Sequence, residues 1–305
     1  MKKLLLFLLL AIGLSGTALA APAPVSEGVR IAVIDSGVST SIVSPDSLLP
    51  GRDYSDSNGT QDVYGHGTQV TQLITGTADG LISGVCPSAK VVPMVTGEYI
   101  QGTYSDMWFN GIHASSAQAI RDAVDVYGCQ IINCSYAGAN FSQTELEAVE
   151  YAVAQGAIVV AGAGNEGGDA LRYPGAYEPV LCVGACNMDG TLASLSQHHN
   201  QVDLLAIGTN LLVEDLDGSV TLASGTSLST PIVAGTLAQI WTDNPGLTAQ
   251  QVTDRLLDSC RVIDGSGHGG DAGPILAPGG ARPEQGDGGQ LPAGLRGRKR
   301  PLLLL

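Results

Sequence analysis

Short apolar runs recur along the chain, and most of them end in a polar or glycine-rich turn. The runs occupy residues 31–34, 89–95, 130–135, 157–161 and 180–185. Because apolar and polar positions do not alternate within them, the runs predict strands buried on both faces, as in parallel sheets. Segments with helical spacing separate the runs. This order predicts an α/β fold with a mostly parallel sheet and helices on both faces.

Several predicted helices carry start or stop signals. The capping-box pattern appears at Ser142–Glu145, and Gly156 is a stop signal for the helix that begins there. The segment Thr248–Gln251 is expected to cap a last helix that continues through Leu257. The segment at residues 231–238 is nearly all apolar or small, which predicts a helix buried on most sides. We expect Pro231 in the first turn of this helix, where its missing N–H has no partner anyway.

Four polar residues stand where predicted strands end or helices begin. Asp35 and Asn165 each follow an apolar run, His66 lies between two glycines, and Ser227 precedes the apolar helix. Open α/β sheets place their sites at the carboxyl ends of the strands. Each position also has a structural interpretation: Asp35 as a turn or cap residue, His66 as a structural histidine, and Ser227 as a helix cap.

These residue types together fit acyl transfer. A serine hydroxyl needs a neighbouring base, and histidine has a pKa near the working pH. An aspartate can hold the imidazole in the correct tautomer, and an amide side chain can donate to an oxyanion together with the serine N–H. The predicted roles are Ser227 as nucleophile, His66 as base and then acid, Asp35 as orienting acid and Asn165 as oxyanion donor.

The two ends of the chain differ from its middle. Residues 1–20 have a basic start, an apolar run and a small-residue cleavage site, which predicts a signal peptide. The run is short for the alternative, a membrane anchor. We therefore expect a secreted or periplasmic protein with a short leader at residues 21–28, a catalytic domain at residues 29–278, and a disordered Gly/Pro-rich, basic tail at residues 279–305.

Composition and charge narrow the class of protein. Hydrophobic residues make up 44% and charged residues 14% of the chain, which is typical of a globular protein rather than a disordered one. The formal net charge of −15 argues against nucleic acid and anionic lipid as partners. We expect no stable membrane insertion and a monomer.

The six cysteines of an exported chain predict at least one disulfide. They are Cys86, Cys129, Cys134, Cys182, Cys186 and Cys260. Cys129 and Cys134 are one candidate pair. However, five extended residues span ~16 Å, and a disulfide needs ~4.4–6.8 Å. If the strand between them is regular, both must pair elsewhere. A zinc site is the alternative, but close C-x-x-C pairs with a neighbouring histidine are missing.

Four sequence blocks, in this order, resemble the motifs of the subtilisin-like serine peptidases. The blocks are Ile34-Asp35-Ser36-Gly37, Gly65-His66-Gly67-Thr68, Ala163-Gly164-Asn165-Glu166-Gly167 and Gly225-Thr226-Ser227-Leu228-Ser229-Thr230-Pro231. The resemblance covers roughly residues 29–275. It implies a three-layer α/β fold and endopeptidase chemistry through an acyl-enzyme, with the four roles given above and no required cofactor.

The resemblance also implies a substrate-binding surface. Its two pocket walls are Ser135, Tyr136, Ala137 and Gly138 on one side and Gly162, Ala163 and Gly164 on the other. The segment from Gly102 to Ser105, including Tyr104, implies an edge strand that pairs with an extended substrate. Arg172 precedes Tyr173-Pro174, and the resemblance implies a position near the pocket floor, where it would favour substrates with an acidic side chain before the scissile bond. The alternative is that Arg172 points to solvent with its stem packed on the surface.

The chain departs from the family pattern in several places. After His66 the family usually carries a second histidine and an Ala-Gly pair, whereas Gln69, Thr71 and Gln72 stand here. We therefore expect this helix to pack less closely against the central one. No folding pro-domain is recognised. The loop Thr77–Gly84 resembles the family's calcium loop only loosely, and Asp79 is its one weak candidate ligand, so bound calcium is not predicted.

The sequence thus predicts a secreted serine endopeptidase. Two alternatives stay open. The first is a catalytically inactive relative that acts as a binding protein. The second is a dedicated maturation peptidase with one partner substrate.

Overall fold

The computed structural model describes residues 28–55, 59–96, 98–100, 103–105, 112–262 and 303–305. Five helices lie in this part of the chain: α1 (His66–Thr75), α2 (Ile112–Asp125), α3 (Gln143–Ala154), α4 (Thr226–Asp243) and α5 (Ala249–Ser259). The strands are β1 (Arg30–Asp35), β2 (Arg52–Asp53), β3 (Lys90–Val95), β4 (Glu98–Ile100), β5 (Thr103–Ser105), β6 (Ile131–Cys134), β7 (Ile158–Gly162), β8 (Leu181–Cys186), β9 (Leu204–Ile207), β10 (Leu211–Glu214), β11 (Val220–Ala223), β12 (Arg261–Val262) and β13 (Leu303–Leu304).

The central sheet has the order β12-β13-β9-β8-β7-β6-β1-β3-β2. The seven strands from β9 to β2 run parallel, so their carboxyl ends meet at one edge. Asp35 ends β1 opposite Val95 of β3. Two antiparallel hairpins, β4–β5 and β10–β11, lie outside this sheet.

Helices cover both faces of the sheet. Successive side chains of a strand point to opposite sides, so each strand contributes to both layers of packing. On β1, Ile31 and Val33 join the core beneath α1, α4 and α5, whereas Ala32 and Ile34 join the core beneath α2 and α3. All four side chains are almost fully buried. The predicted three-layer α/β fold with a mostly parallel sheet is therefore confirmed.

The predicted helix starts agree with the structure at α5, in part at α3, and not at α4. The expected cap at the start of α5 forms, and the structure shows it to be a capping box with reciprocal bonds between Thr248 and Gln251. At α3, the Ser142 side chain accepts the Glu145 N–H, but the Glu145 carboxylate turns inward to two tyrosines and Ser116. The prediction for Pro231 was wrong, because α4 begins five residues earlier, at Thr226.

The expected disulfides are not confirmed. All six cysteines are free thiols in the structure, and five of them are buried. They are divided among different packing layers: Cys86 beneath one set of helices, Cys129 and Cys134 beneath the other, and Cys182 and Cys186 in a third cluster. Burial raises the pKa of Cys129, Cys186 and Cys260 to about 12.

Most of the predicted end segments lie outside the described residues. This applies to the signal peptide, to the leader up to residue 27, and to residues 263–302. The last three residues differ from the predicted disordered tail, because Leu303–Leu304 form β13 between β9 and β12 and Leu305 packs against the core. Among the described helices, none is long and apolar enough to cross a membrane.

Candidate active site

Asp35 and His66 form a hydrogen-bonded pair at the carboxyl edge of the sheet. His66 is the first residue of α1, and its Nδ1 lies 2.8 Å from Asp35 Oδ1 and 3.0 Å from Oδ2. The Asp35 side chain is 3% exposed and the His66 side chain 30% exposed. Asp35 Oδ1 also accepts the backbone N–H of Ser36. The carboxylate is thus held in place, and it can fix the tautomer and orientation of the imidazole.

The glycines beside His66 permit this close approach. Gly65 caps α1 with φ 107°, a left-handed conformation that favours glycine. A Cβ atom on Gly67 would overlap the carbonyl oxygen of Gly37 and lie 3.2 Å from Asp35 Cβ. Only a residue without a side chain fits between β1 and α1 here.

Asp62 is a functional residue that the sequence reasoning missed. Its buried carboxylate accepts the N–H groups of Tyr64, Gly65 and Thr68 and two hydroxyls, so it caps the helix that begins at His66. An acidic residue four positions before a predicted helix start is a signal that could have identified it.

Opposing influences set the pKa of His66. Burial lowers it, but the Asp35 carboxylate, through its charge and hydrogen bond, and the charge of Asp62 raise it. The net result is a pKa above the usual 6.5. An imidazole in this environment is suited to accept a proton near neutral pH.

Ser227 and Asn165 meet at the start of α4. Asn165 Oδ1 accepts both the N–H of Thr226, at 2.8 Å, and its hydroxyl, at 3.0 Å. Asn165 therefore caps α4 from a distant loop, which explains why the helix starts before the predicted position. The same bonds fix the amide so that its Nδ2 remains as donor. A Cβ atom on Gly225 would lie 3.0 Å from Ser227 Oγ and 3.5 Å from Asn165 Nδ2.

Pro231 has a specific consequence for Ser227. Within a helix the N–H of residue 231 would bond the carbonyl of residue 227, but proline has no N–H. The Ser227 carbonyl instead accepts the Ser135 hydroxyl at 2.8 Å, and Ser135 Oγ accepts the Asn133 amide at 2.9 Å. The freed carbonyl thus connects the start of α4 to the end of β6.

Ser227 is partly exposed at the helix start. Among the described residues, no hydrogen bond joins its Oγ to His66. Catalytic hydrogen bonds are often long before substrate binds. The structure therefore joins two of the predicted residues directly, Asp35 to His66, and places Ser227 beside Asn165.

The two predicted pocket walls are held by long-range bonds. On the first wall, Tyr136 donates to the buried Glu145 carboxylate at 3.0 Å, and Gly138 exchanges two backbone bonds with Tyr173. On the second wall, Gly164 N–H donates to the Thr226 hydroxyl at 3.2 Å. The remaining wall residues, Ala137, Gly162 and Ala163, belong to the same two segments.

The loop that carries Asn165 is fixed by Gln197. The Gln197 N–H donates to the Gly164 carbonyl, and its side-chain amide bonds the backbone of Gly168 and Ala170. Gln197 is almost fully buried. No local sequence signal marks this residue, because its partners are about 30 positions away in the chain.

Arg172 already has a carboxylate partner. Its Nε lies 3.2 Å from Glu166 Oε2, and its side chain is 19% exposed. Its stem packs beside Gly164, which belongs to the second pocket wall. The guanidinium is therefore neither pointing freely to solvent nor unpaired near the pocket, and its charge is offset before a substrate arrives.

The remaining predicted residues have simpler outcomes. Gly102 lies outside the described residues, and Tyr104 lies in β5, where it pairs with Tyr99 of β4. Asp79 accepts the Thr77 hydroxyl and the Leu81 N–H, which lowers its pKa and closes a local turn. In the part of the chain that the structure describes, no three His, Cys, Asp or Glu side chains are grouped so as to hold a metal ion.

The chain is similar to known proteins in sequence and in fold. The sequence model of the subtilase family matches residues 26–288. Subtilisin BL from Lederbergia lenta is 32% identical over 243 residues, covering 78% of this chain and 85% of that protein. Subtilisin E from Bacillus subtilis (strain 168) is 34% identical over 261 residues, covering 81% of this chain and 65% of that protein.

A solved structure of a cold adapted subtilisin-like serine proteinase is also similar. It aligns with a TM-score of 0.67 and 28% identity, covering 82% of this chain and 89% of that one. The prenylagaramide maturation protease PagA has the same fold, with a TM-score of 0.65 and 23% identity, covering 79% of this chain and 87% of that one.

Proposed function

Because the chain belongs to the subtilase family of serine endopeptidases, we propose that it hydrolyses peptide bonds through an Asp35–His66–Ser227 triad. The observation that carries the proposal is the Asp35–His66 hydrogen bond at the sheet edge where the start of α4 presents Ser227 and the loop after β7 presents Asn165. The chemistry of this family needs no cofactor. The predicted signal peptide supports secretion, and the acidic charge argues against nucleic acid and anionic lipid as partners. We propose peptides or proteins as substrates and a monomer as the working form.

The first half of the reaction acylates the enzyme. His66 Nε2 accepts the hydroxyl proton of Ser227 as its Oγ attacks the substrate carbonyl carbon. Asp35 stabilises the imidazolium that forms, and its bond to Nδ1 keeps Nε2 directed to the reaction. Asn165 Nδ2 and the Ser227 N–H donate to the oxyanion. The C–N bond then breaks, and His66 returns the proton to the leaving amine.

The second half restores the enzyme. Water attacks the acyl carbon while His66 Nε2 accepts one of its protons, and the Ser227 ester bond breaks with return of that proton to Oγ. The N–H groups at the start of α4 lie at the positive end of the helix dipole, which favours the negative charge of both tetrahedral intermediates.

Ser227→Ala tests this proposal, and Ser229→Ala is its matched control. Ser229 lies in the same helix, and its buried hydroxyl makes no hydrogen bond with any described residue. We expect Ser227→Ala to fold normally and to lose several orders of magnitude in kcat/KM, leaving a residual of ~10³–10⁴ over water. A fluorophosphonate probe should label the parent and Ser229→Ala but not Ser227→Ala.

Two outcomes would count against the proposal. Undiminished hydrolysis by pure Ser227→Ala would remove Ser227 from the chemistry. A parent protein that is folded but neither labelled nor active would favour the inactive binding protein. A cleavage profile on a peptide library would separate a broad endopeptidase from a dedicated maturation peptidase, because the latter would cut only sequences of one type.

A further inference from the structure

Two of the three polar residues of α1 that depart from the family pattern have partners outside the helix. From Gly67 to Thr75, every residue of α1 except Gln69 is buried, so the helix is not loosely packed at these positions. Thr71 donates its hydroxyl to the Gly67 carbonyl within the helix. Gln72 and Gln69 instead reach the β10–β11 hairpin, some 140 positions further along the chain.

Gln72 forms a reciprocal pair with the backbone of Glu214, the last residue of β10. Its Nε2 donates to the Glu214 carbonyl at 2.9 Å, and its Oε1 accepts the Glu214 N–H at 2.7 Å. One side of β10 pairs with β11, so the amide of Gln72 takes the place of a peptide unit from a neighbouring strand on the other side. Only an amide side chain supplies a donor and an acceptor in this arrangement.

The hairpin tip lies at the start of α1. Gln69 Nε2 donates to Asp215 Oδ1 at 2.7 Å, and Leu216 lies 3.6 Å from where a Cβ atom on Gly65 would be. Gly65 is the residue directly before His66. The end of β10 is therefore fixed to the helix that carries the proposed base.

The other strand of the hairpin leads to the proposed nucleophile. β11 ends at Ala223, four residues before Ser227. The intervening turn is fixed by bonds from Gly225 N–H to the Gly208 carbonyl and from Asn210 N–H to the Ser224 hydroxyl. One end of the hairpin is thus anchored to α1, and the other continues into α4.

We propose that Gln72, assisted by Gln69, is a positioning residue that sets the separation between His66 and Ser227 through this hairpin. The inference rests on the proposed function, because it assumes that these two side chains react together. Neither glutamine contacts the proposed reacting atoms. A shift of about 1 Å in the relative position of catalytic groups can cost about 10²-fold in rate.

The test compares Gln72→Met with Gln130→Met. Gln130 is also buried, and its Oε1 accepts the Arg30 N–H at 2.8 Å, but it lies at the amino-terminal edge of the sheet, away from the site. Both variants lose buried bonds to the backbone at similar side-chain volume: two to Glu214 in Gln72→Met and one to Arg30 in Gln130→Met. We expect both to lose stability, Gln72→Met more than Gln130→Met, but a fall of about 10- to 100-fold in kcat, with little change in KM, for Gln72→Met alone.

The rate of fluorophosphonate labelling of Gln72→Met should fall together with its kcat, because labelling also needs the base and the nucleophile at the correct separation. Gln69→Met is a second, milder variant at a partly exposed position. It should lower kcat by a smaller factor, and it keeps the test valid if Gln72→Met does not fold.

The results separate this inference from the proposed function. If Ser227→Ala is inactive and the parent is active, but Gln72→Met and Gln69→Met retain parental kcat, only the positioning role is overturned. Equal losses of kcat in Gln72→Met and Gln130→Met would also overturn it. If Ser227→Ala retains activity, the proposed triad itself fails.

Discussion

Replacing Asp62 by asparagine keeps the shape of the side chain but changes one acceptor into a donor. In the parent, one carboxylate oxygen accepts the N–H groups of Tyr64 and Gly65 and the Ser36 hydroxyl at 2.8–3.1 Å. The other accepts the N–H and hydroxyl of Thr68 at 2.9 and 2.7 Å. Either orientation of the new amide directs its NH₂ group at a buried backbone N–H.

The expected loss of stability follows from two contributions. A buried N–H left without a partner costs about 1–3 kcal/mol. Loss of the negative charge at the start of α1 costs about 0.3–1 kcal/mol more. We therefore expect Asp62→Asn to lower the free energy of unfolding by about 1.3–4 kcal/mol.

The same substitution should change the pH profile in a defined direction. The charge of Asp62 helps to raise the pKa of His66 above 6.5, and only neutral His66 can act as base. Removing the charge lowers this pKa, so the acid limb of kcat/KM moves to lower pH. The interaction of protonated His66 with Asp62 is present below pH 6.5 and disappears as pH rises through the folded pKa. The stability loss should accordingly be larger at pH 5 than at pH 9.

Urea unfolding at both pH values and a pH profile of kcat/KM would measure these effects. Asp189→Asn is the control, because Asp189 is exposed and accepts the Thr191 N–H and hydroxyl in a surface turn. It should cost less than about 1 kcal/mol and leave the acid limb unchanged. The reasoning fails if Asp62→Asn unfolds like Asp189→Asn, or if its acid limb moves to higher pH.

Three further predictions concern packing, specificity and redox state. Gly67→Ala should destabilise by about 1–3 kcal/mol and lower kcat/KM, while Gly246→Ala, with open space around it, should do neither. Glu166→Gln should free Arg172 and raise the ratio of kcat/KM for substrates with Glu over those with Leu before the scissile bond. The rise should be at most about fivefold, since an exposed ion pair contributes about 0.2–1 kcal/mol. An unchanged ratio would show that Arg172 does not contact the substrate. Thiol titration of the purified protein should find six free cysteines after denaturation and slow reaction before it, and a count below six would restore the disulfide expectation.

Local patterns predicted much of the fold because they depend on neighbours in sequence. The apolar runs of β1, β7 and β8 needed only their own composition to be recognised as buried strands. The position of Asp35 at a strand end followed from the same pattern. The glycines on both sides of His66 were also a local signal, because only glycine allows another segment of backbone to approach so closely.

The predictions that failed depend on contacts that are distant in sequence. The start of α4 was misplaced because its cap, Asn165, is 61 positions away. Glu145 was expected to complete a capping box, but two tyrosines and Ser116 compete for its carboxylate. The partner of Arg172 and the role of Gln72 likewise depend on tertiary packing that no periodicity encodes.

The bond from Ser135 to the Ser227 carbonyl has a consequence for how substrates are distinguished. Ser135 begins the predicted first pocket wall, so this wall and the proposed nucleophile share one hydrogen-bonded chain with Asn133. We expect a side chain that fits the proposed pocket poorly to displace this wall, and the displacement to reach Ser227 through its backbone carbonyl rather than through His66. We therefore expect poor substrates to be rejected during turnover as well as at binding, so that selectivity among peptides is found in kcat and not only in KM.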